Sequence, residues 1–119
     1  MATIRFADAH DRVAIVGVSQ GAVVALDAVA SGRWKVGALV SFAGLLPPQP
    51  ISSASKDTPI LLVHGQADTT IPSAASTLAA AQLGAAGFQI ELDVEPGVGH
   101  TVSSAGAAKA LSFLKKSLL

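Results

Sequence analysis

The sequence has no cysteine, which excludes disulfides, a thiol nucleophile and thiolate metal sites. Charge is scarce as well. Asp, Glu, Lys and Arg make up 13% of the 119 residues, and eight of each sign cancel to a formal net charge of zero. A chain without net charge has no electrostatic case for nucleic acid or an anionic membrane surface. No apolar run reaches the roughly 18 residues that suggest a membrane-spanning helix, so no membrane span is expected. Residues 1–12 hold no apolar h-region, so a signal peptide is not expected either, and the cytoplasm is the expected compartment. No group of His, Asp and Glu has metal-ligand spacing; neither a metal nor another cofactor is expected.

What is present is apolar. Half of the residues are hydrophobic, which indicates a compact globular chain and not a disordered one. The length suits one domain, expected over residues 1–119. Zero net charge with a positive mean hydropathy points to limited solubility or to apolar surface covered by a partner.

Residues 13–16 and 60–63 are apolar at every position. Runs of this kind suit strands buried on both faces, as in a parallel sheet covered by helices. Residues 36–42 are a third candidate, weakened by Gly37 and Ser41. In residues 88–94, Phe88, Ile90, Leu92 and Val94 alternate with Gln89, Glu91 and Asp93, the period of a half-exposed strand at a sheet edge. Helices are expected over residues 20–30, 73–84 and 104–118. The first is apolar almost all round and should be deeply packed, with a stop at Ser31-Gly32. In the last, Ala107, Ala108, Leu111, Leu114 and Leu118 make the apolar face. This alternation predicts an α/β fold: a mainly parallel four-stranded sheet with helices on both faces. The connection over residues 44–56 carries Pro47, Pro48 and Pro50; it either lines a pocket or simply connects.

The chain is organised around Gly17-Val18-Ser19-Gln20-Gly21. An apolar strand precedes this pentapeptide and a helix follows it, the setting that a G-x-S-x-G nucleophile elbow requires. The serine sits on the turn, and the N–H of Gln20 opens the helix, where it can face a developing oxyanion. By itself the motif is a weak signal. Two further segments follow strands at the end of the sheet where sites form: Asp68, in His64-Gly65-Gln66-Ala67-Asp68, and His100, in Gly97-Val98-Gly99-His100. A serine hydroxyl needs a base, and the base needs an orienting carboxylate. Asp93 and Glu95 are alternative carboxylates for that role. Each residue also has a plainer reading: Ser19 as a turn serine, Asp68 as a turn or cap, His100 as a loop histidine. His64 reads as structural, its ring bonded to loop backbone. His10 reads as a surface residue, and Trp34 as packing.

Three motifs in order carry a family resemblance. Residues 12–22, around Ser19-Gln20-Gly21, resemble the strand and elbow of α/β-hydrolases of the carboxylesterase/phospholipase and acyl-protein thioesterase type. Val63-His64-Gly65 with Asp68 and Ile71-Pro72 is similar to that family's acid loop, and Gly97-Val98-Gly99-His100 to its histidine loop. The resemblance implies Ser19 as nucleophile, His100 as general base and then acid, Asp68 as its partner, and Gln20 as one oxyanion-hole donor. It covers roughly residues 10–118 and corresponds to the C-terminal part of the fold. The strands that precede the elbow in the family are missing, and with them the loop that gives the second oxyanion donor. Loss of one such donor costs about a hundredfold or more in rate.

The elbow strand is central in the family but has only one expected neighbour here. Its other edge, from Val13 to Val16, would be open, apolar and uncharged. Pairing with a second copy of the chain, as a homo-oligomer, is the expected cover; residues 1–12 folding back over the edge is the alternative. Two functions follow from these readings. One is a serine hydrolase that cleaves small carboxylic esters through an acyl-serine. The other is a catalytically weak or inactive hydrolase-fold module for binding or assembly.

Overall fold

The computed structural model describes residues 2–5, 13–48, 50–52 and 57–118, the first four by their backbone alone. Among the described residues five strands and three helices follow one another: β1 (Ala2–Arg5), β2 (Val13–Val18), α1 (Gln20–Ala30), β3 (Ala38–Phe42), β4 (Ile60–Gly65), α2 (Ala74–Ala85), β5 (Ile90–Glu95) and α3 (Ser104–Leu118). The strands lie in the order β1-β2-β3-β4-β5. From β2 to β5 every neighbour is parallel, with Ala14 beside Ala38, Leu39 beside Ile60, and Ile60 beside Ile90. Each parallel step needs a crossover. Helices α1 and α2 make two of them, and residues 43–59 make the third, with no helix among its described residues.

The two faces of the sheet build two cores. On one face Leu39, Ile60 and Leu62 pack with Leu26 and Val29 of α1, Leu83 of α2, and Phe88. On the other, Val40, Phe42, Leu61 and Val63 pack with Ala110, Phe113, Leu114 and Leu118 of α3. Strands β3 and β4 are buried at every residue, which is why their sequences show no polar alternation. β5 closes the sheet at its edge, as its alternation suggests. Its Leu92 is exposed, and its Glu91 bonds to Lys116 of α3 at 3.0 Å. Trp34, Leu46 and Ile51 pack against the α1/α2 core. The described part of the proline-rich connection therefore acts as a buttress. Gln49 and residues 53–56 of that connection, like His10, lie outside the described residues.

The expected four parallel strands are present, and a fifth joins them. The edge of β2, expected to be open, is covered. β1 runs antiparallel along it, with Ala2 beside Val16 and Arg5 beside Val13. An unpaired apolar edge is satisfied by whatever backbone is at hand, and here it comes from the same chain. The homo-oligomer through Val13–Val16 thereby loses its surface, and the fold-back of the N-terminal residues takes its place. The buried face of α3 is also rotated. Gly106, Ala110, Phe113, Leu114 and Leu118 are buried, while Ala107, Ala108 and Leu111 are exposed. Small residues let the helix approach the sheet closely. A Cβ on Gly106 would stand 3.0 Å from Glu95 Oε1 and 3.3 Å from Val63 Cγ1.

Candidate active site

Ser19 stands between β2 and α1 with φ 56° and ψ −117°. That region is sparsely populated for a residue with a side chain and costs on the order of 1–3 kcal/mol. The surroundings hold it there. The Ser19 N–H donates to Phe42 O at 2.9 Å, and the Ser19 carbonyl accepts from Val23 N–H at 3.1 Å, the first bond of α1. Gly17 is the steric condition for the turn, because a Cβ there would lie 2.6 Å from Ala22 Cα. With Val23 making the first helical bond, the N–H groups of Gln20, Gly21 and Ala22 have no partner within the helix. They present the positive end of the helix beside the serine hydroxyl.

Asp68 lies in the turn after β4 and is 6% exposed. Its Oδ1 accepts from the N–H groups of Thr70 at 2.8 Å and Ile71 at 2.9 Å, and its Oδ2 accepts from His100 Nδ1 at 2.7 Å. Burial alone pushes this carboxyl up. The bonds from His100, Ile71 and Thr70, with the charge of His100 when protonated, outweigh burial and lower the pKa from 3.8 to about 2. The acid is therefore ionised at neutral pH. A carboxylate only accepts, so His100 Nδ1 carries a proton, and in the neutral ring Nε2 is left as an acceptor. That nitrogen lies 2.8 Å from Ser19 Oγ.

The loops that carry Asp68 and His100 are joined along their backbones. Gln66 N–H donates to Glu95 O at 2.8 Å, and Ala67 N–H donates to Val98 O at 2.9 Å. Gly65 makes this seam possible, because any Cβ on it would run into the carbonyl oxygens of Val98 and Gly99. Gly97 takes the tight bend with φ 73°. At the far end of the histidine loop, the Ser103 hydroxyl donates to Glu95 at 2.7 Å and accepts from Gly106 N–H at 2.8 Å, capping α3.

Ser19, Asp68 and His100 are thus drawn into one line by three separate loops, and the Gln20 N–H opens the helix beside them. Of the alternative carboxylates, Glu95 is committed to Ser103, and among the described residues no hydrogen bond joins Asp93 or Glu95 to His100. His64 is buried with its ring against backbone, as expected: Nε2 lies 2.6 Å from Ile71 O. Two contributors were not singled out from the sequence. Ser103 had a signal, since a serine directly before a helix is a preferred cap. Ser76, 2.6 Å from His64 Nδ1, had none, because no spacing rule links a helix interior to a strand end. Among the described residues no group of three His, Asp or Glu side chains could hold a metal ion. No helix among them is long and apolar enough to cross a membrane.

Comparison with known proteins gives a family match. Residues 7–118 match the phospholipase/carboxylesterase family model. The chain is 34% identical over 110 residues to acyl-protein thioesterase 1 of Debaryomyces hansenii, covering 87% of this chain and 47% of that protein. It is 30% identical over 102 residues to esterase YpfH of Escherichia coli, covering 86% of this chain and 44% of that one. The crystal structure of Arabidopsis thaliana SOBER1 superposes with a TM-score of 0.85 at 28% identity, over 93% of this chain and 55% of that one. The chain spans about half the length of the curated relatives it matches. Its α/β-hydrolase fold and its sequence agree: the chain belongs to the phospholipase/carboxylesterase family.

Proposed function

We propose that the protein is a serine hydrolase of small carboxylic esters. The observation that carries this reading is the continuous chain of two short bonds, Asp68 to His100 at 2.7 Å and His100 to Ser19 at 2.8 Å, ending on a serine held at φ 56°. The roles follow from the protons. His100 Nε2 takes the Ser19 hydroxyl proton as Oγ attacks the ester carbonyl carbon. The negative charge that develops on the carbonyl oxygen faces the Gln20 N–H at the positive end of α1. The tetrahedral species collapses, and the leaving alcohol takes the proton back from His100. Water then attacks the acyl-serine, giving its proton to His100, and the carboxylic acid departs as Ser19 regains its hydrogen. Asp68 stays ionised throughout; it fixes the His100 tautomer and stabilises the imidazolium.

The test is hydrolysis of p-nitrophenyl acetate by the wild-type protein and by Ser19→Ala, with labelling by a fluorophosphonate read by mass spectrometry. Turnover lost in the variant and a single adduct on Ser19 support the assignment; equal rates remove Ser19 as nucleophile. The second reading, a module that binds or assembles without turnover, draws on there being one assigned oxyanion donor among the described residues. A folded wild-type protein that neither turns over the ester nor takes the label would favour it.

A further inference from the structure

The aspartate carboxylate has a second histidine. His64, at the end of β4, is 1% exposed, and it takes no part in the proton transfers described above. Its Nε2 lies 2.6 Å from the carbonyl oxygen of Ile71 and 3.2 Å from Oδ2 of Asp68. A carbonyl only accepts, so this nitrogen carries a proton. The N–H bonds to the backbone of the acid loop and lies beside the same carboxylate oxygen that holds His100. In the neutral ring Nδ1 is then an acceptor. The Ser76 hydroxyl of α2, 1% exposed and 2.6 Å away, is its donor. Reversing the tautomer would turn a lone pair toward two oxygens and leave the Ile71 carbonyl without its donor.

We infer that His64 and Ser76 are a positioning pair, resting on the triad reading above: Ser76 fixes the His64 tautomer, and the His64 Nε2–H holds the Ile71 carbonyl, so that Ile71 and its N–H keep the Asp68 carboxylate square to His100. The arrangement is economical in groups. Asp68 accepts Thr70 and Ile71 on Oδ1 and His100 on Oδ2, with His64 Nε2 set 3.2 Å from Oδ2, so both oxygens are confined. Ile71 is held at both ends, its N–H on Asp68 and its carbonyl on His64. His64 therefore acts on the reaction only through Asp68 and His100, and it contacts no reacting atom.

Three variants of the full chain test this: His64→Leu, His64→Gln and Ser76→Ala. Nuclear magnetic resonance reads the downfield Nδ1–H proton of His100 and the tautomer of His64; ester hydrolysis reads kcat and KM. Wild-type His64 is expected as the Nε2–H tautomer. In His64→Leu the His100 proton signal is expected to be lost to solvent exchange, and kcat to fall roughly tenfold with KM little changed, below the about hundredfold that an ångström of misplacement costs. Glutamine keeps an N–H near the Nε2 position, so His64→Gln is expected to retain the signal and most of kcat. Ser76→Ala is expected to fall between them. A merely structural role would lower thermal stability in all three while leaving the His100 signal in the folded fraction unchanged. That result, or a wild-type His64 in the Nδ1–H tautomer, would overturn the proposal. Should His64→Leu not fold, Ser76→Ala and His64→Gln decide by the same signal. The resonance readouts need no turnover, so a failure of the triad reading, seen as full activity in Ser19→Ala, stays separate from a failure of this one.

Discussion

Acid should unfold this protein in part through one side chain. The Asp68 carboxyl titrates at about 2 in the folded chain instead of 3.8. A depressed folded-state value means that the native state favours the ionised form. The stabilisation is fully present above the unfolded value and is lost as the pH falls from near 4 through 2. At about 1.4 kcal/mol per pH unit, the difference is worth roughly 2.5 kcal/mol at neutral pH. For a chain of this length that corresponds to a melting temperature lower by roughly 10 °C. The perturbation is Asp68→Asn, which keeps the shape and abolishes the charge. Thermal unfolding followed by circular dichroism at pH 6, 4, 3 and 2 is the assay. The variant is expected to be less stable than the wild type at pH 6, by at least this amount, because an amide also turns N–H groups toward donors. The gap should narrow as the pH falls through the carboxyl range, since protonation of the wild-type acid removes the same advantage. A gap as wide at pH 2 as at pH 6 would refute the argument that bonds from His100, Thr70 and Ile71 to an ionised Asp68 stabilise the fold.

Other outcomes are accessible to simple measurements. Asp68→Asn should retain ester binding but lose about 10⁴ in kcat, because the amide no longer fixes the His100 tautomer; steady-state kinetics check this. Gly65→Ala forces a Cβ into the carbonyls of Val98 and Gly99, and is expected to cost about 1–3 kcal/mol or more and to abolish fluorophosphonate labelling of Ser19 by displacing His100. Ser103→Ala removes the cap of α3 and the donor to buried Glu95, a loss of about 1–2 kcal/mol in denaturant unfolding. Deletion of residues 1–6 bares the β2 edge; light scattering at micromolar concentration should then show larger species, and an unchanged monomer would count against β1 as its cover.

Much of the fold and of the candidate site was legible because it rests on local patterns. The apolar runs at 13–16 and 60–63 are buried strands, and α1 and α3 begin and end where their glycines, serines and polar flanks suggest. Ser19, Asp68 and His100 each follow a strand, so a parallel sheet brings their loops to one end without further information. What escaped was decided at a distance. Residues 2–5 have no strand signature of their own; the unmet edge of β2 recruits them. The face of α3 could not be read from apolar residues, because its closest approach uses Gly106 and Ala110, and Leu111 was left outside. Ser76 looks like any helix serine until β4 lies beside it. Nothing in the spacing of twelve residues between it and His64 marks the bond.

The seam at Gly65 has a mechanical consequence. Asp68 and His100 ride on loops stitched together by backbone bonds, so the two side chains form a single rigid jaw. The serine belongs to the opposite jaw, the tip of β2, which is tied to its neighbour through the Ser19 N–H and Phe42 O. The side-chain bond that joins the two jaws is the 2.8 Å contact between Ser19 and His100. Breathing of the sheet between β2 and β4 would stretch that contact, while the backbone seam keeps His100 with Asp68. A movement of the jaws would switch proton transfer on and off without ever dismantling the base.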